Sequence, residues 1–218
     1  GASYNAAIGG SALADLTTGT FNVGLGDGAG ANITTASYNT ALGASSLLFN
    51  TTGASNTAVG QNALRANTTA SNNTAVGYKA GYAVTTGALN TLVGSGAGDA
   101  LTDADSNVAI GYLSLTTDTL GSRSIAIGQG ALYSQNFTTG TNSYNVAVGY
   151  EAGGAITTGT RNTLIGGSAG DALNVGQRNV VIGTDALSAD TQGSRSVAIG
   201  QAALANQNFT SATDNYNV

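Results

Sequence analysis

Residues 73–89 read NTAVGYKAGYAVTTGAL, and residues 90–106 read NTLVGSGAGDALTDADS. Both are 17 residues long, open on Asn, and place Val and Gly at the fourth and fifth positions. On either side the same pentad recurs: Asn or Ser, two mostly small or β-branched residues, then Val, Ile or Leu, then Gly. It opens at Asn5, Asn22, Asn39, Asn56, Asn73, Asn90, Asn107 and Ser124 in unbroken steps of 17. It returns at Asn145 after 21 residues, at Asn162, Asn179 and Ser196 after 17, and at Asn217 after 21. Twelve units are complete and a thirteenth has begun. A fixed period of this kind decides the architecture before any local reading.

Within a unit the fifth position is always Gly: Gly9, Gly26, Gly43, Gly60, Gly77, Gly94, Gly111, Gly128, Gly149, Gly166, Gly183 and Gly200. The eighth is Ala or Ser, the ninth Leu or Gly, and the thirteenth Thr or Asn. Residues 73–144 and 145–216 form two matching 72-residue blocks of four units, the fourth carrying a four-residue insertion. Pairs such as GSRSIAIGQGAL (121–132) and GSRSVAIGQAAL (193–204) mark the duplication, and residues 5–72 read as an older block.

Seventeen residues are too few for a helical hairpin repeat but suffice for short strands and turns. The expected fold is therefore all-β: a parallel β-solenoid with one unit per coil and coils about 4.8 Å apart. The pentad predicts a short strand ending at a Gly that needs positive φ or close backbone approach. A second strand is expected near the Ala-Leu columns. Like residues stack into ladders, so the Asn column, with Ser124 and Ser196 keeping a hydroxyl, can hydrogen-bond along the axis. The expected core is thin: one Val or Ile, one Ala, and a Leu that is Gly in units 2, 5, 6, 9 and 10. Lateral association of chains, with cyclic symmetry, would supply the missing burial.

Composition agrees with a fibre and excludes several functions. Charged residues make up 8% of the chain, against roughly 25% in ordinary soluble domains. Cys and His are absent, which removes disulfides, thiolate metal sites and the common catalytic triads. Six basic residues and a net charge of −5 argue against nucleic acid, and no apolar run is long enough to insert in a membrane. Met is also absent, so the sequence is expected to be an excerpt of a longer chain.

The segments NTAVGYKAGYAVTTG, NVAIGYLSL, SIAIGQGAL, NVAVGYEAG and SVAIGQAAL resemble the YadA-like head repeats of trimeric autotransporter adhesins and the NTAVGYQAL-type repeats of phage tail fibres. The likeness spans residues 4–218, although adhesin heads typically use coils shorter than 17 residues. It implies a left-handed β-roll assembled as a homotrimer, extracellular on a cell surface or virion, and used for attachment. A self-assembling extracellular filament and a monomeric ice- or ligand-binding solenoid are the alternatives.

No catalytic constellation, cofactor or metal site is expected. Asp103 and Asp105 read as a solvated turn, since the second block has Val175 and Gln177 there. Asp27, Asp99 and Asp171 lack the nine-residue spacing of calcium-binding rolls. The Thr pairs at 17–18, 34–35, 51–52, 68–69, 85–86 and 157–158 are adjacent, so their hydroxyls alternate in direction. The candidate binding residues are aromatic: Tyr78, Tyr112 and Tyr150 after the invariant Gly, and Tyr82 and Tyr133 in the variable stretch. Tyrosine offers a rigid ring and a hydroxyl to a surface glycan or protein receptor. Tyr4, Tyr38, Tyr144 and Tyr216, before the Asn column, are expected to pack at a coil corner.

Overall fold

The computed structural model describes residues 1–217 as two units, 1–107 and 108–217, each a parallel β-solenoid with no helix among the described residues. The first unit stacks β1 (Ala6–Ile8), β2 (Val23–Leu25), β3 (Thr40–Leu42), β4 (Thr57–Val59), β5 (Thr74–Val76) and β6 (Thr91–Val93). The second contains β7 (Val108–Ile110), β8 (Gly121–Ser122), β9 (Ile125–Ile127), β10 (Thr141–Asn142), β11 (Val146–Val148), β12 (Thr163–Ile165), β13 (Val180–Ile182), β14 (Gly193–Ser194), β15 (Val197–Ile199) and β16 (Thr213–Asp214). Register follows the period, as in Thr57↔Thr74 and Thr163↔Val180. The insertion leaves it intact: Ile125 pairs with Val146, and the extra residues add the small ladders β8–β10 and β14–β16.

Each coil has one three-residue strand, and the expected second strand is not formed. The Ala-Leu segment still bonds coil to coil, for example Leu47 N–H to Ala63 O and Leu132 N–H to Ala152 O at 3.0 and 3.1 Å. Its backbone, however, alternates into the left-handed region, with φ near +50° at Leu13, Leu47, Leu64, Leu115, Leu132, Leu187 and Leu204. This explains why the ninth column accepts only Leu or Gly. Gly adopts positive φ freely, whereas Leu there costs about 1–2 kcal/mol that its burial offsets. The fifth column is stricter. Its φ lies between +120° and +144°, and a Cβ would come within 2.3–2.5 Å of the next coil's glycine at Gly60, Gly77 and Gly149, so only Gly fits there.

A second correction concerns the core. In every three-residue strand after β1 the middle residue is buried, whereas the Val, Ile or Leu of the fourth column faces out. The interior is filled by the strand's central Ala, Leu or Val, the Ala or Ser of the eighth column, and an apolar residue in either the ninth or the twelfth. Where the ninth is Gly (Gly30, Gly81, Gly98, Gly153, Gly170), the twelfth is Ile33, Val84, Leu101, Ile156 or Leu173, all buried. Where the ninth is Leu, the twelfth is polar (Asn50, Asn67, Asp118, Gln135, Asp190, Gln207), except in the first coil, which has Leu13 and Leu16. The ninth and twelfth columns together supply one large side chain per coil after the first, joined in three coils by Leu92, Leu164 or Val181 from the middle of the strand. A Cβ on Gly30 would lie 2.8 Å from Ile33 Cδ1 and 2.9 Å from Leu13 Cδ2.

The Asn column is buried and bonded along each unit. The Oδ1 of Asn39, Asn56 and Asn73 accepts the backbone N–H of Asn56, Asn73 and Asn90 at 2.9–3.0 Å. Each Nδ2 donates across the coil, as from Asn56 to Ala70 O and from Asn73 to Gly87 O, both 2.8 Å. In the second unit Asn145, Asn162 and Asn179 repeat the pattern. Ser124 lacks a carboxamide, and Gln135 supplies one. Its Nε2 donates to Ser124 Oγ at 2.8 Å and to Asp118 Oδ2 at 2.5 Å, and its Oε1 accepts from Asn145 Nδ2 at 2.8 Å. The Ser-bearing coils therefore carry Gln in the twelfth column and the insertion that places Ser143 beside Ser124.

Two substitutions test these rules. Asn56→Ala leaves the Asn73 N–H and the Ala70 carbonyl buried without these bonds, and should cost about 2–4 kcal/mol, read as lost hydrogen-exchange protection around coils 4 and 5. Gly30→Leu should lower the unfolding midpoint by overpacking worth about 1–3 kcal/mol, and Gly30→Leu with Ile33→Asn should recover most of it.

Candidate binding surfaces

The five tyrosines singled out from the sequence fall into two groups, one in each unit. Tyr78 and Tyr82 flank Lys79, whose Nζ lies 5.4 and 5.5 Å from their ring centres. Arg65 continues the row, 5.8 Å from the Tyr82 ring and 4.7 Å from the Phe49 ring. These rings and cations cover one another on the flank of the coil. The arrangement shields the thin interior and leaves Tyr78 the most accessible of the set.

In the second unit Tyr112 and Tyr133 line a shallow groove of about 170 Å³ with Gln129 and Glu151. Tyr133 and Glu151 also border a hollow of about 270 Å³ with Gly130, Gly154 and Asp171. Tyr150 adjoins Glu151 in the chain, and that carboxylate holds its phenol above the ordinary pKa. Asp171 is raised above the usual carboxylate range, first by burial and then by Asp185 and Glu151, and its Oδ1 is buried without a hydrogen-bond partner. Rings beside carboxylate acceptors suit the hydroxyls of a polyol or a cationic side chain. No cluster of three acidic side chains with metal-holding geometry occurs among the described residues.

The corner column differs from expectation. Tyr4, Tyr38, Tyr144 and Tyr216 are exposed, because the residue before each Asn sits at φ of +47° to +62° and projects outward. Tyr4, Phe21 and Tyr38 stack on one another, centroids 5.0 and 5.3 Å apart, as one-rung spacing dictates. The same column carries Arg123, Arg161, Arg178 and Arg195, four of the chain's six basic residues, a stripe that reading by motif rather than by column overlooks. Arg123 donates to Tyr144 Oη at 2.9 Å, and Arg195 pairs with Asp214 at 2.6 Å.

The other sequence candidates have structural partners. Asp103 accepts from Thr86 Oγ1 at 2.6 Å and Asp105 from Ala88 N–H at 2.7 Å. The first Thr of each pair spends its hydroxyl on the next coil, as Thr51 Oγ1 to Thr68 O and Thr68 Oγ1 to Thr85 O, both 3.1 Å.

Because the folded state raises the Asp171 pKa, ionisation opposes folding, and the benefit of the protonated form is lost as pH rises through that value. Measured on the monomeric chain, Asp171→Asn should therefore melt higher than the parent at neutral pH, with the gap closing as pH falls below the carboxylate range. No family model, curated protein or solved structure matches the chain, so its surfaces are interpreted from their own chemistry.

Proposed function

We propose that this chain is a non-enzymatic segment of an extracellular fibre, a surface adhesin or phage tail fibre, in which three copies associate side by side. The observation that carries this reading is the outward face of the strands. In the second unit its positions are Val108, Ile110, Ile125, Ile127, Val146, Val148, Thr163, Ile165, Val180, Ile182, Val197 and Ile199, and all but Thr163 are Val or Ile. Ile110, Ile165 and Ile182 remain 37–39% exposed within the stack. Six rungs span about 24 Å, and monomeric soluble proteins rarely leave so continuous an apolar stripe open to water.

A second copy covers such a face with the same face, and closed cyclic symmetry leaves none of it in solvent. Three is the number that the resemblance to trimeric adhesin heads implies. The fibre's work is then to project, and to present the exposed Tyr112 and Tyr133 rings at every copy so that weak contacts to a glycan or protein surface add by avidity.

Sedimentation equilibrium tests the assembly. The 21.2 kDa chain should sediment at three times its mass, and Ile127→Asp with Ile165→Asp should return it to monomer with its β-sheet circular dichroism kept. A parent chain that stays monomeric at micromolar concentration overturns the reading.

A further inference from the structure

The apolar face of the second unit is bordered by opposite charges. Just before the strands, on the corner column, stand Arg161, Arg178 and Arg195 on three successive rungs, those of β12, β13 and β15. Past the strands' other ends stand Glu151 and Asp185, three residues beyond β11 and β13, and the half-buried Asp171, six residues beyond β12. Arg161, Arg178, Glu151 and Asp185 are exposed. The Arg195–Asp214 pair is the one salt bridge among the described residues, so Arg161 and Arg178 are not neutralised within the chain.

We infer that these borders are the two halves of a contact between copies of this chain: the arginine corner of one copy docks on the carboxylate border of the next, parallel and without axial shift. This rests on the side-by-side assembly proposed above and adds its direction and register. Corner, strand and border of one coil lie at nearly one height, since a coil climbs about 4.8 Å in all. In an unshifted parallel pair Arg161 therefore meets the level of Asp171, and Arg178 that of Asp185, with Glu151 one rung from Arg161. An antiparallel pair would reverse this order.

In the first unit the same border columns carry Arg65, Lys79 and Asp99, and the corner column carries Tyr4, Phe21, Tyr38, Ser55, Asn72, Leu89 and Ser106 with no charge, so the two opposed charge borders belong to the second unit. The contact is also heterologous, joining two different borders, which closes a ring when the rotation per copy permits. A polyanion seated on the arginine corner is the competing occupant.

Charge exchange tests the contact. Two variants are made: a corner variant, Arg161→Asp with Arg178→Asp, and a border variant, Glu151→Lys with Asp185→Lys. Asp is among the residues that tolerate the corner's positive φ, and Lys79 already occupies the border column at φ 56°. Each variant alone should weaken assembly at least tenfold in sedimentation at low salt, and the chain carrying all four changes should assemble like the parent. An equimolar mixture of the two variants should not recover a trimer, because an odd ring cannot alternate them.

Variants that stay as trimeric as the parent overturn this contact while leaving the assembly itself standing. A monomeric parent overturns the assembly. Failure of the four-change chain to reassemble, with its circular dichroism intact, also overturns the contact, as does a parent whose heparin binding depends on Arg161 and Arg178 while its trimerisation does not.

Discussion

A buried carboxamide can stay in an apolar interior only if both its donor and its acceptor are used, and the Asn column meets that condition by repetition. The Oδ1 takes a backbone N–H from the next coil, and the Nδ2 takes a carbonyl from across its own. The first of these partners exists only where the next coil brings its backbone to the same place. The hydrogen bonds thus impose the period, and the period places every other column. Where Ser interrupts the series, Gln135 restores the missing amide from the twelfth column, and Ser143, brought in by the insertion, completes the cluster.

In the interior that this column frames, the ninth and twelfth columns share one large apolar side chain per coil after the first, and Leu92, Leu164 or Val181 of the strand joins it in three coils. Exchange between the ninth and twelfth columns is a packing rule written into a single chain, since Gly30 sits with Ile33 while Leu47 sits with Asn50. The polar residue that appears when the ninth is Leu is used rather than merely tolerated. Asn50 bonds both the N–H and the carbonyl of Gly53, and Asp118 accepts from Gly121 and Phe137. Side chains alternate along a strand, so with the middle residue turned inward the β-branched residues of the outer positions face outward. The surface that results is apolar along the strands and charged along their borders, and the proposed assembly follows from that division.

The Asn and Gly columns, the coil length and the all-β class were legible because each depends on a spacing that any one unit displays. The groove of Tyr112 and Tyr133 was legible only as residue types. Tyr133 belongs to the coil after Tyr112, and their meeting with Glu151, one coil further on, depends on how coils stack. The acidic neighbours and the arginine corner went unread because charge was weighed for the whole chain, where 11 acidic residues outnumber six basic ones, and not by column.

By itself, then, the sequence determined the repeat, the parallel pairing of like with like, and the need for Gly in the fifth column, because identical units must meet at identical places. Tertiary structure alone decided the direction in which each column points. Left-handed backbone at the ninth column replaced the second strand and turned Leu inward, and strand alternation turned the Val and Ile of the fourth column outward. Whether a residue lies inside or outside such a coil is set by its backbone dihedrals, which side-chain chemistry alone does not reveal.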